Sequence, residues 1–277
     1  MSIKIVVDSS SNIFEVEGVD FASAPLTIVT DNKEYRDDEN LDVREMVEDL
    51  KAYKGKSGSA CPGVGDFIEA FGNADVVFCL TITSALSGSY NAALVAKEQY
   101  EEENPGKKAY VIDTLSAGPE VKFTVEKLKD MILSGMDPEE IYTKILEYKT
   151  EGTGLVFALA SMTNLANNGR VSPAAAKFAS MLGIRAVGQL SEQGTLDPKD
   201  KCRGEKRAIA GIVKNMEELR YAGGRVRVDH CFALETAEKL AEAIKAKYEN
   251  AEVIIEETRG LCSFYAELGG LMVAFER

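Results

Sequence analysis

The chain has a single histidine, His230, in 277 residues. Any Ser–His mechanism would have to use it. His230 lies in a strand-like run, Arg225 to Phe232, where a lone histidine reads as structural. The five cysteines (Cys61, Cys79, Cys202, Cys231, Cys262) are odd in number, and none belongs to a CxxC pair. That spacing offers no metal site and suits a reducing cytoplasm, the expected location. GxSxG, GxGxxG and P-loop patterns are absent, which removes the nucleophile elbow and the usual nucleotide loops. No apolar run is long enough to span a bilayer, so stable membrane insertion is not expected. The opening run ends at Asp8, and it reads as a first strand and not as a signal peptide. Basic residues are in deficit, 32 against 45 acidic, for a net charge of −13. This argues against nucleic-acid binding and against docking on anionic membranes through a general field. One local basic cluster, Lys199 to Arg207, reads equally as a solvated helix start or as a partner site.

Against these absences stand two segments dense in hydroxyls and glycines. Gly58-Ser59-Ala60-Cys61-Pro62-Gly63 is one; Thr83-Ser84-Ala85-Leu86-Ser87-Gly88-Ser89-Tyr90 is the other. The second joins a buried-looking strand, Val76 to Ile82, to a helical pattern from Tyr90. A strand feeding a helix through such a turn leaves N–H groups and hydroxyls at the helix N-terminus, a geometry that binds anions. The same residues are also ordinary caps and turn formers. Two such segments on neighbouring elements favour a site over a pair of caps.

The rest of the chain alternates strands and helices. Strands are expected at 3–8, 25–30, 34–36, 76–82 and 109–113, with helices at 41–53, 64–71, 90–103, 119–134 and 137–149. Asp137-Pro138 supplies an N-cap followed by a proline at the first helical position. Alternation of this kind predicts a parallel α/β sheet, whose ligands bind beyond the carboxyl ends of the strands. Both Ser87 and Asp8-Ser9-Ser10 fall at such ends. The second half is less regular: strands at 154–160, 184–190, 225–232, 252–257 and 272–275, and helices at 161–168, 174–182, 206–222 and 236–248. The predicted architecture is α/β in two domains, an N-terminal parallel-sheet domain over 1–150 and a C-terminal α+β domain over 151–277.

Five segments in this order resemble the DegV family, whose characterised members are bacterial fatty-acid-binding proteins. They are Ile5-Val6-Val7-Asp8-Ser9-Ser10, Pro25-Leu26 with Tyr35-Arg36-Asp37, Ser59-Ala60-Cys61-Pro62, Ser87-Gly88-Ser89-Tyr90-Asn91-Ala92-Ala93, and Asn168-Gly169-Arg170-Val171. The resemblance implies two α/β domains clasping one long-chain fatty acid, with no cofactor. It implies a carboxylate held by Ser59, by Ser87 with Gly88 and Ser89, and by Gly169 and Arg170. It further implies a binding protein that does no chemistry itself. The resemblance also implies a partner, a separate fatty acid kinase that phosphorylates the bound acid for phospholipid synthesis, with Arg203 as a contact. Two departures stand out. Tyr265 occupies the place of a family histidine near the ligand head group, and Ala60-Cys61 replaces a Ser-Gln pair.

Physical reasoning on the residues supplies the tail. A long acyl chain needs an apolar tunnel, since each buried methylene is worth roughly 0.8 kcal/mol. The candidate lining is Phe157 to Ala160, Ala175 to Leu182, Leu261 and Phe264. The competing readings are a hydrolase with Ser87 as nucleophile and His230 as base, and a binder of a smaller anion in a pocket narrowed by Tyr265.

Overall fold

A computed structural model describes residues 1–172 and 183–277. The helix expected at 174–182 lies outside the described residues, as do the lining candidates Ala175 to Leu182.

The first half is built on a four-stranded parallel sheet in the order β2-β1-β6-β7. Its strands are β1 (Ile3–Asp8), β2 (Asp20–Ala24), β6 (Val76–Thr81) and β7 (Lys108–Asp113). β6 is buried along its whole length, as expected of a central parallel strand covered on both faces. Ile5, Val7, Phe78 and Leu80 pack on one face against α4 (Pro119–Leu133) and α5 (Pro138–Glu151). On the other face Val6, Val77 and Cys79 meet α2 (Val64–Phe71) and α3 (Ser89–Glu103). Asp137 caps α5 as expected, its side chain accepting from the Glu139 N–H, with Pro138 at the first position.

A small antiparallel sheet, β4-β3-β5, stands beside it: β3 (Thr27–Thr30), β4 (Glu34–Arg36) and β5 (Ser57–Ala60), with α1 (Val43–Ala52) packed nearby. The first hydroxyl segment is therefore not simply a turn. Its first three residues, 58–60, belong to the edge strand β5, where Ser59 sits opposite Ile28.

The second half is a six-stranded mixed sheet, β10-β9-β8-β13-β11-β12. The strands are β8 (Thr153–Leu159), β9 (Ile184–Leu190), β10 (Leu196–Arg203), β11 (Arg225–His230), β12 (Glu252–Glu257) and β13 (Leu271–Glu276). Only β11 and β12 run parallel; the other pairs are antiparallel. The remaining helices are α6 (Thr163–Asn167), α7 (Glu205–Glu218), α8 (Leu234–Lys247) and α9 (Gly260–Ala266). α7 and α8 cover one sheet face, where Val156, Ala158, Val187, Val228 and Val273 are buried. The opposite face of β8 carries Leu155, Phe157 and Leu159 toward the first half, following the two-residue period of a strand.

The basic cluster is not a helix start over most of its length. Lys199, Lys201 and Arg203 are exposed on the edge strand β10, and the helix begins only at Glu205. Charged side chains on an edge oppose pairing with another chain.

Candidate ligand site: an apolar cavity with a hydroxyl mouth

A cavity of about 340 Å³ opens between the parallel sheet, the small sheet and the free face of the six-stranded sheet. Its lining is largely apolar: Leu155 on β8, Leu190 on β9, Leu196 on β10 and Met272 on β13, of which Leu155, Leu190 and Met272 pack together and Leu196 stands opposite Leu190. Leu26, Ile82, Ala117, Phe157, Leu159 and Leu261 line it too. The polar side chains in the wall are Ser59, Ser87, Arg170 and Tyr265, with Cys61 and Gly88 beside them. One apolar depth with a few convergent donors is the general form of a site for an amphiphile.

The mouth is assembled from both halves of the chain. Ser59 Oγ lies 2.8 Å from Tyr265 Oη, linking β5 to α9. Arg170 Nε donates to the Leu86 carbonyl (3.2 Å) and Nη1 to the Asn168 carbonyl (2.6 Å), so the guanidinium ties the turn after α6 to the turn before α3. The guanidinium also stands 5.8 Å from the Tyr265 ring centroid. Asn168 Nδ2 donates to the Ser57 carbonyl (3.2 Å) and to Asn164 (2.8 Å), fixing the turn that carries Arg170. Gly169 adopts φ +71°, a left-handed conformation that most residues resist, and this shapes the turn. Gly169 itself is exposed and does not line the cavity.

At the second hydroxyl segment, Gly88 is the N-cap of α3 and Ser89 its first residue. Ser87 Oγ accepts from the Ser89 N–H at 3.3 Å and lies 3.1 Å from Ser89 Oγ. Ser87 faces the cavity, whereas Ser89 is fully buried behind it. The other strand-end candidate, Asp8-Ser9-Ser10, is turned inward. Ser9 Oγ accepts from the Leu26 N–H at 3.0 Å, and Ser10 Oγ donates to Asp8 Oδ1 at 2.5 Å. Burial pushes the Asp8 carboxyl up to about 6, against hydrogen bonds from Ser10, Ile82 and Ser89 that favour its charged form.

Of the sequence-proposed tail residues, Phe157, Leu159 and Leu261 line the cavity. Ala158 faces the other side of the sheet, and Phe264 packs under the small sheet with Ile28, Tyr35 and Met46. Leu155, Leu190, Leu196 and Met272 were not anticipated. The period-two pattern of β8 could have found Leu155, while β10 and the register of β13 had no clear signal. His230 is absent from the lining. It is buried, burial holds it below the usual histidine range, and its Nδ1 accepts from the Ala233 N–H at 3.2 Å. Among the described residues no cluster of three metal-ligating side chains occurs. No described helix is long and apolar enough to cross a membrane.

Fold and cavity together define a two-domain α/β protein with a largely apolar cavity. The sequence model of the DegV family, described as uncharacterised proteins, matches residues 2–277, and the chain belongs to that family. A DegV domain-containing protein of Streptococcus pneumoniae is 40% identical over 280 residues, covering 100% of this chain and 99% of the relative. Two solved structures are similar throughout. One is a DegV family protein from Eubacterium eligens loaded with heptadecanoic acid, with a TM-score of 0.96, 41% identity and 99% coverage of each chain. The other is the fatty acid kinase B3 protein of Streptococcus pneumoniae loaded with linoleic acid, with a TM-score of 0.96 and 40% identity. It covers 100% of this chain and 99% of its own.

Proposed function

We propose that this protein is a carrier for one long-chain fatty acid, whose tail fills the cavity and whose carboxylate is held at the mouth by Ser59, Ser87, Arg170 and Tyr265. The observation that carries this reading is the make-up of the cavity wall: the few polar side chains Ser59, Ser87, Arg170 and Tyr265 set in an otherwise apolar lining of leucines, Phe157 and Met272. Bound fatty acids in similar structures at about 40% identity support it. A tail of about a dozen methylenes gives on the order of 10 kcal/mol from burial, before the costs of association. Gly88 and Ser89 contribute the helix N-terminus, and Gly169 acts by shaping the arginine turn. The two units, residues 1–150 and 151–277, clasp the ligand between them, and the protein resides in the cytoplasm.

On this reading the protein is not an enzyme. A Ser87 nucleophile would need a base, and the only histidine lies outside the cavity. The acid is presented instead to a fatty acid kinase, as the similar kinase B3 protein suggests. Arg203 pairs in register with Ile184, and the adjacent Arg185 donates to the Gly269 carbonyl in the loop just after Tyr265. On this proposal the kinase docks over the basic end of β10, with Arg203 as a contact.

The test is linoleic acid binding by wild type, Ser87→Ala, Arg170→Ala and the double variant. Each single change removes a charge-assisted contact of roughly 1.5–3 kcal/mol, which weakens binding about ten- to a hundredfold. Unchanged retention by the double variant would remove the head group from this mouth.

A further inference from the structure

The short helix α6 and the residue that ends it carry two asparagines four positions apart, Asn164 and Asn168, and neither lines the cavity. Five residues are too few to hold a helix by themselves, so α6 takes its place from what it touches. Its apolar contact is Leu165, buried in one cluster with Phe157, Leu159 and Met162. The two asparagines supply the polar contacts, each toward a different element of the mouth.

Asn164 faces α9. Its Nδ2 donates to the Phe264 carbonyl at 2.8 Å, and its backbone N–H donates to Glu267 Oε1 at 3.0 Å, on either side of Tyr265. Asn168 faces β5. Its Nδ2 donates to the Ser57 carbonyl at 3.2 Å, two residues before Ser59, and to the Asn164 carbonyl at 2.8 Å. Both protons of that amide nitrogen therefore have an acceptor. β5 is the outer strand of the small sheet, so it presents backbone groups to a partner outside the sheet. A Cβ at Gly58 would stand 2.9 Å from Asn168 Oδ1; the amide meets the strand where the strand has no side chain.

The chain beyond Asn168 is a Schellman stop. The Arg170 N–H donates to the Leu165 carbonyl at 2.8 Å and the Gly169 N–H to the Ala166 carbonyl at 3.1 Å, with Gly169 at φ +71°. The Arg170 backbone is thereby fixed to α6 and moves only with it. Two hydrogen bonds carry this turn across to the first half: Asn168 Nδ2 to Ser57, and Arg170 Nε to the Leu86 carbonyl at 3.2 Å. The second uses the guanidinium itself, and the first leaves it free of that task.

We infer that Asn168 is a positioning residue for the head group: its amide pins the turn of Arg170 to β5, so that the arginine of the second half and Ser59 of the first close on one carboxylate. The inference rests on the carrier reading above. Because Asn168 acts through Arg170, its effect requires both a charged head group and the arginine. A methyl ester of the same tail offers the guanidinium no charge, so it is indifferent to where the arginine stands.

The test is a double-mutant cycle on lipid-stripped protein, with linoleic acid affinity measured for wild type, Asn168→Ala, Arg170→Ala and the double variant. Asn168 is half-buried in a surface turn, so its truncation leaves the thermal midpoint within a few degrees of wild type. Asn168→Ala weakens the acid about tenfold, and adding it to Arg170→Ala costs less than about twofold more. Methyl linoleate is bound alike by wild type and Asn168→Ala. Wild-type affinity in Asn168→Ala, with Arg170→Ala weakened, overturns the inference. Losses that multiply in the double variant overturn it too, because Asn168 then acts independently of the arginine. So does an equal loss for the methyl ester, which marks a general slackening of the cavity. Failure of wild type to bind the acid, or unchanged affinity in Arg170→Ala, strikes the carrier reading and its mouth instead.

Discussion

At the scale of single residues, the same side-chain types fall to opposite uses according to which way the backbone turns them. Ser87 and Ser59 open onto the cavity, whereas Ser9, Ser10 and Ser89 are fully buried and tie the strand ends to their neighbours. Sequence pattern located the Ser87 and Ser9-Ser10 hydroxyls at strand ends and Ser59 in a turn, but it carried no information on which of them face inward. Tyr265 was legible only as a substitution at a known position; its bond to Ser59 was not. Asp8 gives a stability prediction at this scale. Its folded value of about 6 exceeds the ordinary 3.8, so protonation favours the native state. That contribution is fully present below about pH 4 and is lost as the pH rises to about 6, a change of roughly 3 kcal/mol. Urea midpoints of wild type and Asp8→Asn compared across this window should therefore diverge, with wild type losing ground as the pH rises. Parallel curves would mean that Asp8 titrates normally.

At the scale of elements, strongly patterned strands and helices were read correctly, while β2, β5 and β10 were not. Asp20–Ala24 contains no β-branched residue and is held as a strand by its ladder to β1. Ser57–Ala60 has only small side chains, and Leu196–Arg203 is charged and contains Pro198, which an edge strand tolerates. In each case pairing with a neighbour, not local propensity, makes the strand. The short helix α9 depends on tertiary support in the same way. Its seven residues are too few for stability in isolation, and its first two N–H groups are both taken by the buried Asp37 carboxylate at 2.9 Å. A Cβ at Gly260 would stand 2.6 Å from that carboxylate, so the close approach requires glycine. Since α9 carries Leu261, Cys262, Tyr265 and Ala266 to the cavity, Asp37→Ala should both destabilise the fold and weaken ligand binding. Two buried donors lose their acceptor, at about 1–3 kcal/mol each. A thermal midpoint equal to wild type would show that α9 is held by its packing alone.

At the scale of the whole molecule, the cavity lies between the sheets of the two halves, which are fastened to each other by polar contacts. Lys122 on α4 reaches Asp229 (3.2 Å) and Glu256 (3.0 Å), and Asn12 donates to Asp229 at 2.8 Å while accepting from the Arg259 N–H. Glu126 on α4 pairs with Arg225 and Arg227 of β11. Of these pairs only Lys122–Asp229 is buried on both sides; such a pair adds little net stability compared with apolar packing, but it fixes the relative placement of what it joins. None of these partners is near in sequence, which is why the α/β class was legible and the fastening was not. The cavity is likewise a product of the assembly, since its lining is drawn from the parallel sheet, the small sheet, the mixed sheet and the connections between them.

The central claim, that this assembly houses one fatty acid, is tested most directly by mass spectrometry of the purified protein. Native mass should exceed the chain mass by one acyl chain, and the organic extract should contain a long-chain acid at about one per protein. Protein that is free of lipid, and stays so after incubation with heptadecanoic and linoleic acids, would contradict the account.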